Sequence, residues 1–309
     1  MLRRLPLPTL CALIVAAGCV AGVPSSARAA VARLPIEAAF SAPGPFATTT
    51  GTVMKGSTVE YDLFYPSNYA SVGFKSPIIT WGNGTGDVPD MYSTLLLQFA
   101  SYGFTVIATT RKNTGSGREM DAAAHYLVKM NTTAGSVFSG HLNVHRVAAV
   151  GHSQGALGAA RVAVMDPKLI TTLITFSLPA ASLDSTNPDC PVVSDCEVSM
   201  ASVHQPAFLI STYGREDSFI SSPRVGRAYF SEVKGRAALG IIKKSGGVKV
   251  DHASIENATY GGNPGEEMAY ATAWLEYTLR GNRQAAQAFT GPHPELTSNP
   301  DWPGSKVKS

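Results

Sequence analysis

Residues 146–160 constrain this chain more than any other stretch, because they read as strand, sharp turn and helix in immediate succession. Val147, Ala148, Ala149 and Val150 make a short apolar run suited to a buried strand. Gly151-His152-Ser153-Gln154-Gly155 follows, a G-x-S-x-G turn. Residues 156–165 are small and mostly apolar, with good helix propensity. A serine at the apex of so tight a turn sits in strained backbone geometry, and a Cβ on either flanking glycine would crowd it. The turn lifts the Ser153 hydroxyl off the sheet edge. It also aims the Gln154 N–H, at the helix N-terminus, at the place where negative charge would develop. Ser153 is therefore the candidate nucleophile and Gln154 a candidate backbone donor.

The rest of the chain fits that beginning. Strand-like and helix-like segments alternate at 77–81, 90–102, 104–109, 118–130, 146–150 and 154–165. Further strands are predicted at 169–178, 206–213 and 237–244, and a helix at 265–280. An early strand at 58–65 alternates in character and reads as antiparallel and half exposed. This pattern predicts an α/β fold with a mostly parallel sheet covered on both faces, and ligands at the carboxyl ends of its strands. The glycine-rich loop 82–87 follows one strand end. It lacks Gly-Lys-Ser/Thr and G-x-G-x-x-G, so it is neither a P-loop nor a dinucleotide fingerprint. Its expected contribution is a second backbone N–H, from Asn83 or, as the alternative, Gly84. An acid just past strand 206–213 is the candidate third member, Asp217 with Glu216 as the alternative. His252 comes after both. His125 lies mid-helix, and His141, His145 and His204 precede strands. His293 lies in a proline-rich tail, and His152 adjoins Ser153 on a turn where neighbours do not face each other. His252 is thus the candidate base, giving the order nucleophile, acid, base.

Composition narrows the setting. With 309 residues, 44% hydrophobic and 15% charged, the chain can bury one large core. No basic run accompanies the net charge of +3, so nucleic acid is not an expected partner. Residues 1–29 read as an export signal: Arg3 and Arg4, an uncharged apolar stretch, then Ala27-Arg28-Ala29 as a cleavage site. Cleavage would leave one domain, 30–309, with no membrane span. It would also remove Arg3, Arg4 and Arg28 but no acid, leaving no formal net charge. Two alternatives stay open, a lipid-anchored Cys19 in a degenerate lipobox and an uncleaved N-terminal anchor. Cys190 and Cys196 are the cysteines left after cleavage, and a disulfide closing their polar loop suits an oxidising compartment. Residues 179–203, which hold that loop, read as a short excursion over the site and not as a cap domain. The sequence carries no HExxH-type motif, and the expected chemistry needs no metal or organic cofactor.

Residues 55–280 resemble the α/β-hydrolase superfamily, and within it bacterial secreted cutinase-like polyester hydrolases and lipases. The likeness rests on Gly151-His152-Ser153-Gln154-Gly155, the strand–loop–helix–strand block 77–110, Gly115-Ser116-Gly117-Arg118-Glu119-Met120, Gly214-Arg215-Glu216-Asp217 and Asp251-His252. It implies an eight-stranded sheet and hydrolysis of small or polymeric esters at an open cleft by a Ser153–His252–Asp217 triad, in a secreted monomer. The sequence departs from the pattern at Asn83, where an aromatic is usual, and at Gln154, where Met is common. Both departures are expected at the acyl-binding wall. An acyltransferase of the same fold and a non-catalytic binding protein are the competing readings.

Overall fold

The computed structural model describes residues 33–180, 198–245 and 247–309. The expected export signal and the expected Cys190–Cys196 disulfide lie outside the described residues. Nine strands form one mixed sheet. Six parallel strands make its centre: β3 (Ser76–Gly82), β4 (Thr105–Thr109), β5 (Leu142–His152), β6 (Ile170–Phe176), β7 (Ala207–Thr212) and β8 (Ala237–Ile242). Their order across the sheet is β4-β3-β5-β6-β7-β8. β2 (Thr58–Pro66) joins β4 antiparallel, as its alternating pattern predicts, and β1 (Thr48–Lys55) pairs with β2 at the edge.

The sheet has nine strands where the resemblance implies eight, and its two edge strands, β1 and β11 (Lys306–Lys308), are not among the seven read from the sequence. β1 is TTTGTVMK, mostly polar and half exposed, so it has no apolar face to announce it. Its hairpin pairing with β2, not burial, makes it a strand. At the other edge the tail segment Lys306–Lys308, β11, pairs antiparallel with Ala237–Leu239 of β8. Between them, β9 (Lys244–Ser245) and β10 (Val248–Lys249) form a separate small hairpin.

Central strands are buried on both faces, which explains their continuous apolar runs. The period of two sorts them. Ile79, Trp81, Val150, Ile174 and Phe208 point into one core cluster, and Ile78, Val147, Ala149, Leu173 and Leu209 into the other. The first cluster is closed by α1 (Pro35–Ser41), α2 (Ser93–Ser101) and, further along the chain, the long helix at Gly265–Arg280. The second is closed by α3 (Arg118–Met130), α4 (Gln154–Met165) and α5 (Pro223–Glu232). The long helix is α6. Helices α3, α4 and α6 coincide with their predicted ranges. Helix α5 was not expected; it starts where Ser222 caps the Val225 N–H and Pro223 takes the first turn. Among the described residues no helix is long and apolar enough to cross a membrane.

Candidate active site

β5 runs into α4 through Ser153, whose φ is 53° and ψ −119°. Few non-glycine residues adopt that backbone, and such strain persists where surrounding structure enforces it. Close packing enforces it here. A Cβ on Gly155 would strike the carbonyl of Gly82, and one on Gly151 would strike the carbonyl of Gly155. The elbow therefore lies against the end of β3, and both glycines are needed for that approach.

The serine hydroxyl points to His252. Its Oγ lies 3.0 Å from His252 Nε2, and His252 Nδ1 lies 2.7 Å from Asp217 Oδ1. Asp217 is fully buried, and its second oxygen accepts from Ser177 Oγ and Thr212 Oγ1, each at 2.7 Å. Ser177 holds a φ of 51°, a second strained serine just past the end of β6. The exposed Glu216 contributes a backbone N–H to the region, and Asp217 is the acid that meets the histidine. All three candidate residues thus come together at the carboxyl edge of the parallel strands.

Asp251 was not singled out from the sequence as a site residue, yet it joins the two loops that carry Asp217 and His252. Its carboxylate accepts from the N–H groups of Arg215 (3.0 Å), Glu216 (2.9 Å) and His252 (2.8 Å), and at 3.4 Å from that of Asp217. Gly214 is required beside it, because a Cβ there would overlap the Asp251 side chain. Asp251 also forms a capping box with Ser254, whose Oγ accepts from the Asp251 N–H at 2.8 Å. The available signal was Asp-x-x-Ser across the histidine.

Two backbone donors were expected at Asn83 and Gln154. The Gly84 N–H is taken by Tyr92 Oη at 3.2 Å, which disfavours Gly84 as the alternative. The Asn83 N–H makes no hydrogen bond among the described residues. The side chains of Asn83 and Gln154 do not form the acyl-binding wall expected of them. Asn83 is fully buried, accepts from Trp81 Nε1 (3.0 Å) and donates to the carbonyls of Thr109 (2.7 Å) and Arg111 (3.1 Å). Gln154 Oε1 accepts from the Thr114 N–H at 2.8 Å, and Thr114 Oγ1 donates to the Asn83 carbonyl at 2.8 Å. These amides tie the loop after β3 and the start of α4 to the loop after β4. Each has its polar atoms met inside the protein.

Comparison with family models and with curated proteins finds no match. The site is therefore judged on its own chemistry.

A second cluster adjoins His252. His152 is buried, with Nδ1 2.9 Å from Tyr92 Oη and Nε2 3.1 Å from the His252 carbonyl. Tyr92 also makes a short hydrogen bond with Asp87. Burial, and secondarily the neighbouring His252, hold the His152 pKa well below the ordinary histidine range. Burial pushes the Glu256 carboxyl up to about 7, with Asp87 adding to the rise. Asp87, His152 and Glu256 bring one nitrogen or carboxylate oxygen each within 4.8 Å of one another. Both His152 nitrogens are engaged and the Tyr92 phenol joins the group, so its construction is that of a hydrogen-bonded cluster. On the surface His125 pairs with Asp166 (3.0 Å) and lies 3.8 Å from Asp121, an exposed ion-pair arrangement.

Proposed function

We propose that this protein is an exported serine ester hydrolase with an α/β-hydrolase fold, similar in its site to cutinase-like polyester hydrolases and lipases. The observation that carries the reading is the unbroken hydrogen-bond chain Ser153–His252–Asp217 on a strained strand-to-helix turn. A serine hydroxyl is a weak nucleophile until a base removes its proton during attack. His252 Nε2 is placed to take that proton as Ser153 Oγ adds to the ester carbonyl carbon. Asp217 fixes the imidazole with Nδ1–H donating to it and stabilises the imidazolium that forms. The backbone N–H groups of Asn83 and Gln154 receive the oxyanion. His252 then returns the proton to the leaving alcohol. Water, activated by the same imidazole, hydrolyses the acyl-enzyme and frees the acid. Every step uses groups of this chain and water.

The leader and the two cysteines support export, with Cys190 and Cys196 paired as a disulfide. The substrate class is carboxylic esters, small or polymeric. The test is hydrolysis of p-nitrophenyl butyrate by the mature protein and by Ser153→Ala. The variant is expected to lose activity by about 10⁴-fold or more while remaining folded. Equal turnover by both proteins would remove the triad assignment, and a folded but inert wild type would remove the esterase reading.

A further inference from the structure

The Tyr92 hydroxyl has one proton and three polar neighbours. It accepts from the Gly84 N–H at 3.2 Å, meets Asp87 Oδ2 in a short contact, and lies 2.9 Å from His152 Nδ1. At the far side of the same imidazole, Nε2 faces the His252 carbonyl at 3.1 Å. A carbonyl only accepts, so that contact is attractive only when Nε2 carries a hydrogen. His152 is sealed from solvent and held neutral, so a hydrogen on Nε2 leaves Nδ1 bare. Nδ1 must then accept the single Tyr92 proton. The short Tyr92–Asp87 contact then needs a proton from the acid side.

Remove that acid proton and the arrangement inverts. Tyr92 donates to Asp87, and His152 must carry its hydrogen on Nδ1 to donate to the phenol oxygen. The Nε2 lone pair then faces the carbonyl lone pairs of His252. The net change is one proton released to solvent, while the Tyr92 and His152 protons change sides.

We propose that His152 is a positioning residue for His252, and that Tyr92 couples its tautomer to the proton held between Asp87 and Glu256. With the proton present, the His252 backbone is held by a hydrogen bond from β5; without it, that hold becomes a repulsion. The inference rests on the proposed role of His252 as base. The groups facing the acid pair are Tyr92 from the turn before α2, His152 from β5, His252 from its own turn and Glu216 from the loop after β7. Burial raises the Glu256 carboxyl, Asp87 and Glu216 add to the rise and His252 lowers it, which leaves Glu256 at about 7.

The experiment is nitrogen-15 NMR of histidine-labelled protein from pH 5.5 to 9, on wild type, Asp87→Asn and Tyr92→Phe. In the wild type the His152 hydrogen is expected on Nε2 at the acid end and on Nδ1 at the alkaline end. The side-chain amide of the Asp87→Asn variant keeps an N–H for Tyr92 at every pH, so His152 should stay in the Nε2–H form throughout. Tyr92→Phe removes the coupling by another route and should also abolish the pH response, which covers failure of Asp87→Asn to fold. Wild-type kcat should carry a fall of roughly 3- to 10-fold across the same change, the scale of one hydrogen bond, and Asp87→Asn should lack it. One fixed tautomer across the wild-type titration would overturn the proposal, as would both nitrogens protonated at pH 7. A tautomer change in a protein that turns over no ester would confirm the coupling and overturn the proposed function instead.

Discussion

Each flank of His252 holds a pair of carboxyl groups, and the two pairs are built differently. On one side Asp217 accepts from two hydroxyls and from His252, while Glu267, in the first turn of α6, lies buried within its electrostatic reach. On the other side Asp87 is half-buried and meets the Tyr92 hydroxyl, with Glu256 near it and pushed up to about 7. Burial pushes the Glu267 carboxyl well above the usual range, and the charge of Asp217 adds to this. The contrast is one of depth and donors. Where neutral hydroxyls meet one acid and burial neutralises the other, the pair presents one fixed charge to the histidine. On the other flank a single phenol meets Asp87, and weaker burial leaves the Glu256 carboxyl at about 7.

The largest effect should come from the fixed-charge flank. Asp217→Asn keeps the shape of the site but replaces a pure acceptor with an amide that can present N–H₂ to the imidazole. That favours the wrong tautomer, and kcat on p-nitrophenyl butyrate should fall by about 10⁴-fold. Glu216→Gln, one residue away and exposed, should stay within about twofold of wild type. Comparable losses in both would erase the distinction between the two neighbouring acids.

Asp251 links that flank to the histidine loop, so its removal should disturb both carriers together. Asp251→Ala leaves the N–H groups of Arg215, Glu216 and His252 without their acceptor. A fall in kcat of roughly 10- to 100-fold is expected, with about 2 kcal/mol of stability lost in denaturant unfolding. Asp251→Asn retains an acceptor oxygen and should recover part of both. Loss of stability without loss of kcat would show that the two loops are held in place by other contacts.

How much of this was legible in the sequence depended on whether a residue's role had a local signature. Ser153 could be read because strand, glycines and small-residue helix are contiguous. Asp217 and His252 could be read from chain order and strand ends, although the choice against Glu216 needed the geometry. The central strands were visible through their apolar runs. β1 and β11 were not, because a polar edge strand and a three-residue tail strand are made by pairing and not by burial. The side chains of Asn83 and Gln154 were expected at the acyl wall, and each instead turned inward to backbone partners 26 to 40 residues away. The cluster around Tyr92 was illegible for the same reason. It joins residues 60 and 100 positions apart, and only His152 carried any local hint.

The smallest effect should be the pH dependence of stability set by Glu267. Its Oε1 has no hydrogen-bond partner among the described residues, and burial makes its charged form the costly one. A carboxyl whose folded pKa is raised favours folding most when protonated. Its contribution is complete below the unfolded value near 4.5 and is lost as pH rises toward the folded value. Glu267→Gln stays neutral at every pH. It should therefore match wild type in Tm near pH 4.5 and exceed it by a few degrees at pH 8, from roughly 1–2 kcal/mol. The triad contacts of Asp217 should survive, because Ser177, Thr212 and His252 remain. A Tm difference independent of pH would mean that Glu267 does not titrate differently on folding. The two acid pairs would then differ in donors alone and not in depth.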